Sequence, residues 1–143
     1  MTHTTKRSTL ALACLIIVST ALAACGPAGG GGGSATTVQV TLTDFKIDSS
    51  LTTFSVGVPY HFVIVNKGSV AHEFYIMPPA DPSTADSKKS QAVVAVTQND
   101  LAAGATKTVD YTFTAAAPEG TLEMSCHIAG HYEAGMHVPI AVK

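Results

Sequence analysis

An all-β sandwich or small barrel of seven or eight strands is the fold class this sequence predicts. Three observations point to it. Short runs rich in β-branched and aromatic residues recur from about Thr37 to the end of the chain. Where they alternate, the apolar residues share one face: Val38, Val40 and Leu42 early on, Val109, Tyr111 and Phe113 later. No segment carries a long 3.6-residue apolar period. The stretch from Val38 to Lys143 is long enough to bury a core without disulfides.

The strand-bearing runs follow in order. "TTVQVTLTDFKI" comes first, then "LTTFSV" and "YHFVIVN". The turn "NKGSV" leads into "AHEFYIM". "PPADPSTADSKK", Pro78 to Lys89, reads as a polar loop, because its prolines and small polar residues favour turns over ladders. The span from Ala80 to Gln98 has room for a helical turn, and "SQAVVAVT" for a short strand. "ATKTVDYTFT", "GTLEMSC" and "MHVPIAVK" complete the series.

The first 25 residues belong to a different class. "MTHTTKRS" carries Lys6 and Arg7 and no acid, and an apolar run ends in the small residues of "LAAC", Leu22 to Cys25. This is the three-part pattern of an export signal over residues 1–24. The run is short against the roughly 20 residues a spanning helix needs. "LAAC" resembles the lipobox of bacterial lipoproteins, in which the cysteine is acylated and becomes the mature N-terminus. Cys25 is the expected lipidation site. Residues 25–37, with the Gly/Ser run "GPAGGGGGSATT", then form a flexible tether spanning roughly 17–21 Å. Residues 38–143 form the folded domain.

Composition narrows the function. The chain is 46% hydrophobic and 13% charged, which is globular rather than disordered. It has no Trp and no basic stripe, so nucleic acid is not an expected partner. Without Lys6 and Arg7, six basic residues face ten acids, a formal charge of −4. Removal of the signal takes Cys14, and acylation takes Cys25. Cys126 is then a lone thiol in a compartment where cysteines normally pair, and metal ligation would explain it.

"CHIAGHYEAGM" supplies that explanation. It places Cys126, His131 and Met136 at gaps of four and four residues, and His72 lies upstream in "NKGSVAHEFYI". Two imidazoles and a thiolate with a weak axial thioether are the donors of a type 1 copper site. Thiolate and thioether favour Cu(I), and imidazole serves both oxidation states. Gly130 and Gly135 can take backbone angles other residues resist. Zinc fits less well, because its usual ligands do not include methionine. A Cys–His nucleophile lacks an orienting third residue.

"N-x-G-x-x-x-H" at Asn66 to His72, together with "C-x4-H-x4-M" at Cys126 to Met136, resembles the cupredoxins, the small blue copper proteins. The likeness covers roughly Val38 to Lys143 and implies an all-β Greek-key β-sandwich of seven or eight strands. It implies one type 1 copper held by His72, Cys126, His131 and Met136, with Asn66 tying the ligand loops together. It also implies one-electron transfer, often through the edge of the second histidine, here His131. One position departs from the best-known members. Glu73 stands where they carry asparagine, and strand alternation should turn it away from the metal.

Met77 and Met124 are expected in the core. His61, His127 and His137 are expected off the metal, although His127 and His137 could together offer a second metal site. Catalysis is not indicated, since an oxidase or nitrite reductase needs a second copper centre. Two functions follow. One is a one-electron carrier, lipid-anchored outside the cytoplasmic membrane and serving redox proteins of a membrane electron-transport chain. The other is a copper-tolerance protein that sequesters or delivers copper.

Overall fold

The computed structural model describes Met1 and residues 34–143. The expected signal segment, Cys25 and most of the Gly-rich tether lie outside the described residues. The strands are β1 (Thr36–Thr43), β2 (Lys46–Ser49), β3 (Thr53–Phe54), β4 (Pro59–Asn66) and β5 (Phe74–Met77). After the helix α1 (Ala85–Lys89) come β6 (Val94–Val96), β7 (Thr106–Thr112), β8 (Ala117–Ser125) and β9 (His137–Val142). All eight expected runs carry strand. The ninth strand arises because the first run breaks at Asp44 and Phe45, where Phe45 adopts φ +66°. That left-handed conformation costs a bulky residue about 1–3 kcal/mol and lets β2 fold back on β1.

Two sheets form the sandwich. One has the order β2-β1-β4-β7, the other β3-β9-β8-β5-β6. β1 runs parallel to β4 and β3 parallel to β9, and the other pairs are antiparallel. Period-two alternation decides which side chains meet between the sheets. Val38, Val40 and Leu42 of β1 are buried, as are Tyr60, Phe62 and Ile64 of β4. Phe74, Ile76, Met124, Ile140 and Val142 face them from the second sheet. Phe54 lies 5.0 Å from the rings of Tyr60 and Phe113 and 5.8 Å from Phe62. Offset and edge-on rings at such spacings add to the burial energy.

β5 is buried on both faces. Phe74 and Ile76 enter the main core. Tyr75 and Met77 pack instead with Ala80 and Ala85, so the chain around α1 covers the outer face of this strand. The undecided loop thus does hold a short helix. Asp81 starts it by accepting the backbone N–H groups of Ser83 and Thr84 at 2.9 and 3.1 Å.

Register places four connections at one end of the sandwich. Leu42 pairs with Asn66, Thr106 with Val65, Phe74 with Val96, and Ser125 with both Tyr75 and His137. The β1–β2 turn and the β4–β5, β6–β7 and β8–β9 connections therefore gather there. Replacement of fully buried Phe62 by alanine should cost about 3–5 kcal/mol, read as a lower denaturant midpoint at unchanged slope.

Candidate metal centre

His72 comes from the β4–β5 connection. Asn66, at the end of β4, shapes that segment: its amide nitrogen donates to Val70 O and Leu101 O, both at 2.8 Å. Its Oδ1 accepts the Gly68 N–H at 2.9 Å. The His72 N–H donates to the same Leu101 carbonyl at 3.0 Å. Gly68 has a steric role. A Cβ there would sit 2.5 Å from Asp44 Oδ1 and 2.6 Å from His72 Nε2, so the motif has room only for hydrogen.

The other three donors come from the β8–β9 connection. Cys126 follows the last residue of β8, and its N–H donates to Met136 O at 3.1 Å. The Met136 N–H donates to His131 O at 3.1 Å, and the His131 N–H to Ile128 O at 2.9 Å. Gly130 and Gly135 take φ +84° and +96°, which lets the chain turn twice within ten residues. The two equal gaps are thus closed by backbone bonds.

His72, Cys126 and Met136 are fully buried, and His131 is 8% exposed. His72 Nδ1 lies 3.2 Å from His131 Nδ1. Cys126 Sγ lies 3.5 Å from His131 Nδ1 and 4.0 Å from His72 Nδ1. A point equidistant from the three is about 2.1 Å from each, within the roughly 2.0–2.3 Å typical of metal bonds to imidazole nitrogen and thiolate. The donor triangle fits a metal ion as it stands. It is the only metal-sized cluster of His, Cys, Asp or Glu donors among the described residues.

The surroundings keep these donors in reserve for a cation. Burial raises the Cys126 thiol, and the backbone N–H groups of Glu73 and Ile128 partly offset it. A bound metal would deprotonate the thiol outright. Burial, then the charge of His131, lowers the His72 pKa and leaves a neutral imidazole, the form that ligates. His72 Nε2 has Asp44 Oδ1 at 3.5 Å, beyond a hydrogen bond, so Asp44 acts there as a nearby charge. Asp44 is held by Ser69, whose hydroxyl and N–H donate to it at 2.7 and 2.9 Å and lower its pKa.

The outer residues divide the bracing differently from expectation. Asn66 ties the His72 loop to the β6–β7 turn. The tie across to the cysteine loop comes from Glu73, whose Oε1 accepts the His127 N–H at 2.9 Å. Glu73 does turn away from the donors. His61 pairs with Asp110 on the neighbouring strand at 2.6 Å. Met77 and Met124 are core residues.

His127 and His137 do not form a joint metal site. Tyr132 stands between them, stacked at 4.6 Å on one ring and 4.5 Å on the other. Burial, then a hydrogen bond to Glu123, pushes the Tyr132 pKa up to about 12. Sequence reasoning missed Tyr132, Asp44 and Phe45, whose ring meets His131 edge-on at 5.2 Å. Only the Asp–Phe break in the first run's alternation could have signalled the last two.

No family model matches the chain. Over 113 residues, 75% of the chain, it is 32% identical to the copper-resistant cuproprotein CopI of Rubrivivax gelatinosus. It spans 66% of that protein's length, just under two thirds. Auracyanin A of Chloroflexus aurantiacus, a "blue" copper protein, matches the fold with a TM-score of 0.60 at 19% identity. That match covers 77% of this chain and 100% of the auracyanin. Dithionite-reduced auracyanin of Roseiflexus castenholzii matches with a TM-score of 0.59 at 17% identity, covering 78% and 99%. The chain has the fold of the cupredoxins, and His72, Cys126, His131 and Met136 are a donor set that suits one type 1 copper.

Proposed function

We propose that the protein carries single electrons on copper bound by His72, Cys126 and His131, with Met136 as the weak axial ligand. The observation that supports this best is the preset, buried donor triangle. Bound copper would supply the Cu(II)/Cu(I) couple. The chain's own part is to hold the donors where neither oxidation state demands rearrangement, and to exclude water. His131, the one donor with residual exposure, would be the exchange edge, with Phe45 beside it. Partners would be redox proteins of a membrane electron-transport chain.

We place the domain outside the cytoplasmic membrane, tethered through acylated Cys25. The tether would raise its concentration near membrane-bound partners. Among the described residues no helix is long and apolar enough to cross a membrane.

The likeness to CopI favours a second reading, in which the same copper serves copper tolerance by sequestration or delivery. Reversible cycling of one retained copper supports the carrier. Ready passage of copper to an acceptor supports the second reading.

Titration with Cu(II) should produce an intense visible charge-transfer band that saturates at one copper per chain. Reductant should bleach it reversibly, and Cys126→Ser should lack it. Copper binding without that band would remove the type 1 assignment. Gly68→Ala should displace Asp44 or His72, costing about 1–3 kcal/mol and weakening copper retention in a chelator competition. Cys25→Ala should move the exported protein from the membrane fraction to the soluble fraction, and unchanged fractionation would remove the lipid anchor.

A further inference from the structure

The connection between β5 and β6 does more than cover a strand. Its helix ends at Lys89, and the Lys89 ammonium reaches Glu73 Oε1 at 3.1 Å. The same oxygen accepts the His127 N–H at 2.9 Å. The Glu73 side chain is 7% exposed and that of Lys89 24%. A carboxylate so far out of water needs a partner charge as well as hydrogen bonds. Lys89 is itself held in place. Asp86 lies 3.3 Å from the ammonium, and the Tyr75 ring lies beneath it at 5.4 Å. Burial works against the Lys89 charge, yet Glu73 and Asp86 together raise its pKa.

Glu73 touches the cysteine segment directly. Its carboxylate fixes the peptide that joins Cys126 to His127.

We propose that Lys89 is a positioning residue of the copper centre, acting through Glu73. It neutralises the carboxylate that clamps the Cys126–His127 peptide, and so sets both the sulfur's position and the charge it experiences. α1 is then the element that allows an acid to stand beside the first histidine. This inference rests on the copper assignment above. A bland role exists for comparison: a basic residue in the last turn of a helix favours that helix whatever else it touches.

The test compares full-length chains carrying Lys89→Met, Lys89→Arg, Glu73→Gln and the double change Glu73→Gln with Lys89→Met. Two quantities are read: the reduction potential of the copper-loaded protein, and hydrogen exchange of the His127 amide in copper-free protein. Lys89→Met should lower the potential, because an uncompensated carboxylate favours Cu(II). The His127 amide should exchange about tenfold faster. Lys89→Arg should keep both close to the parent. In the Glu73→Gln background the Lys89→Met change should no longer speed exchange of the His127 amide, and the potential should fall only by the direct effect of the lost ammonium.

Parent-like values in Lys89→Met, or an equal change of His127 amide exchange in both backgrounds, would overturn the proposal. If Lys89→Met alone fails to fold, the double change against Glu73→Gln still decides: equal His127 amide exchange supports it and faster exchange in the double change rejects it. Absence of the copper band in every chain would sink the copper assignment instead, and amide exchange would still decide whether Lys89 acts through Glu73.

Discussion

The carbonyl of Leu101 is the point on which the metal end of the sandwich depends. It receives the His72 N–H and the Asn66 amide together, at 3.0 and 2.8 Å, in a residue with no exposure. Two hydrogen bonds to one buried oxygen join the β4–β5 connection to the β6–β7 turn. Loss of either would strand a buried donor, which costs more than a made bond contributes. The opposite half of the site has its own closure, from Cys126 N–H to Met136 O. Glu73 links the halves. The donor triangle is therefore held by backbone geometry before any ion adds its bonds.

Much of this was legible in the chain itself. Alternation at Val38, Val40 and Leu42 gave the buried face of β1, because a period of two admits only one inward set. The spacing of Cys126, His131 and Met136 gave the compact loop, because both glycines fall where the chain must turn. The roles of Glu73 and Lys89 were not legible as a pair. They lie 16 residues apart across a loop with no periodic pattern, and only tertiary packing brings their charges together. Asp44 and Phe45 were hidden for a related reason: the alternation breaks there, but nothing in the run says that a strained backbone angle turns the chain beside the site.

The site also shows how a copper centre can tolerate an acid at close range. A buried carboxylate near a sulfur ligand ordinarily needs partners of its own. Here one oxygen is occupied by a backbone N–H and an ammonium, so the acid serves as a brace. Asp44, on the other side of His72, is half in water and satisfied by Ser69. The two acids beside His72 are thus handled differently, one by an internal cation and the other by solvent and a hydroxyl.

The separation of the donors along the chain has a consequence for folding order. His72 and Cys126 are 54 residues apart and meet only when β5 pairs with β8. Non-local pairings of this kind form late. An unfolded chain has scattered soft donors and no triangle, so it has no preset geometry with which to select a metal. If the chain folds only after the export proposed above, the metal would be chosen by the ions available where the sandwich closes, not where the chain is made.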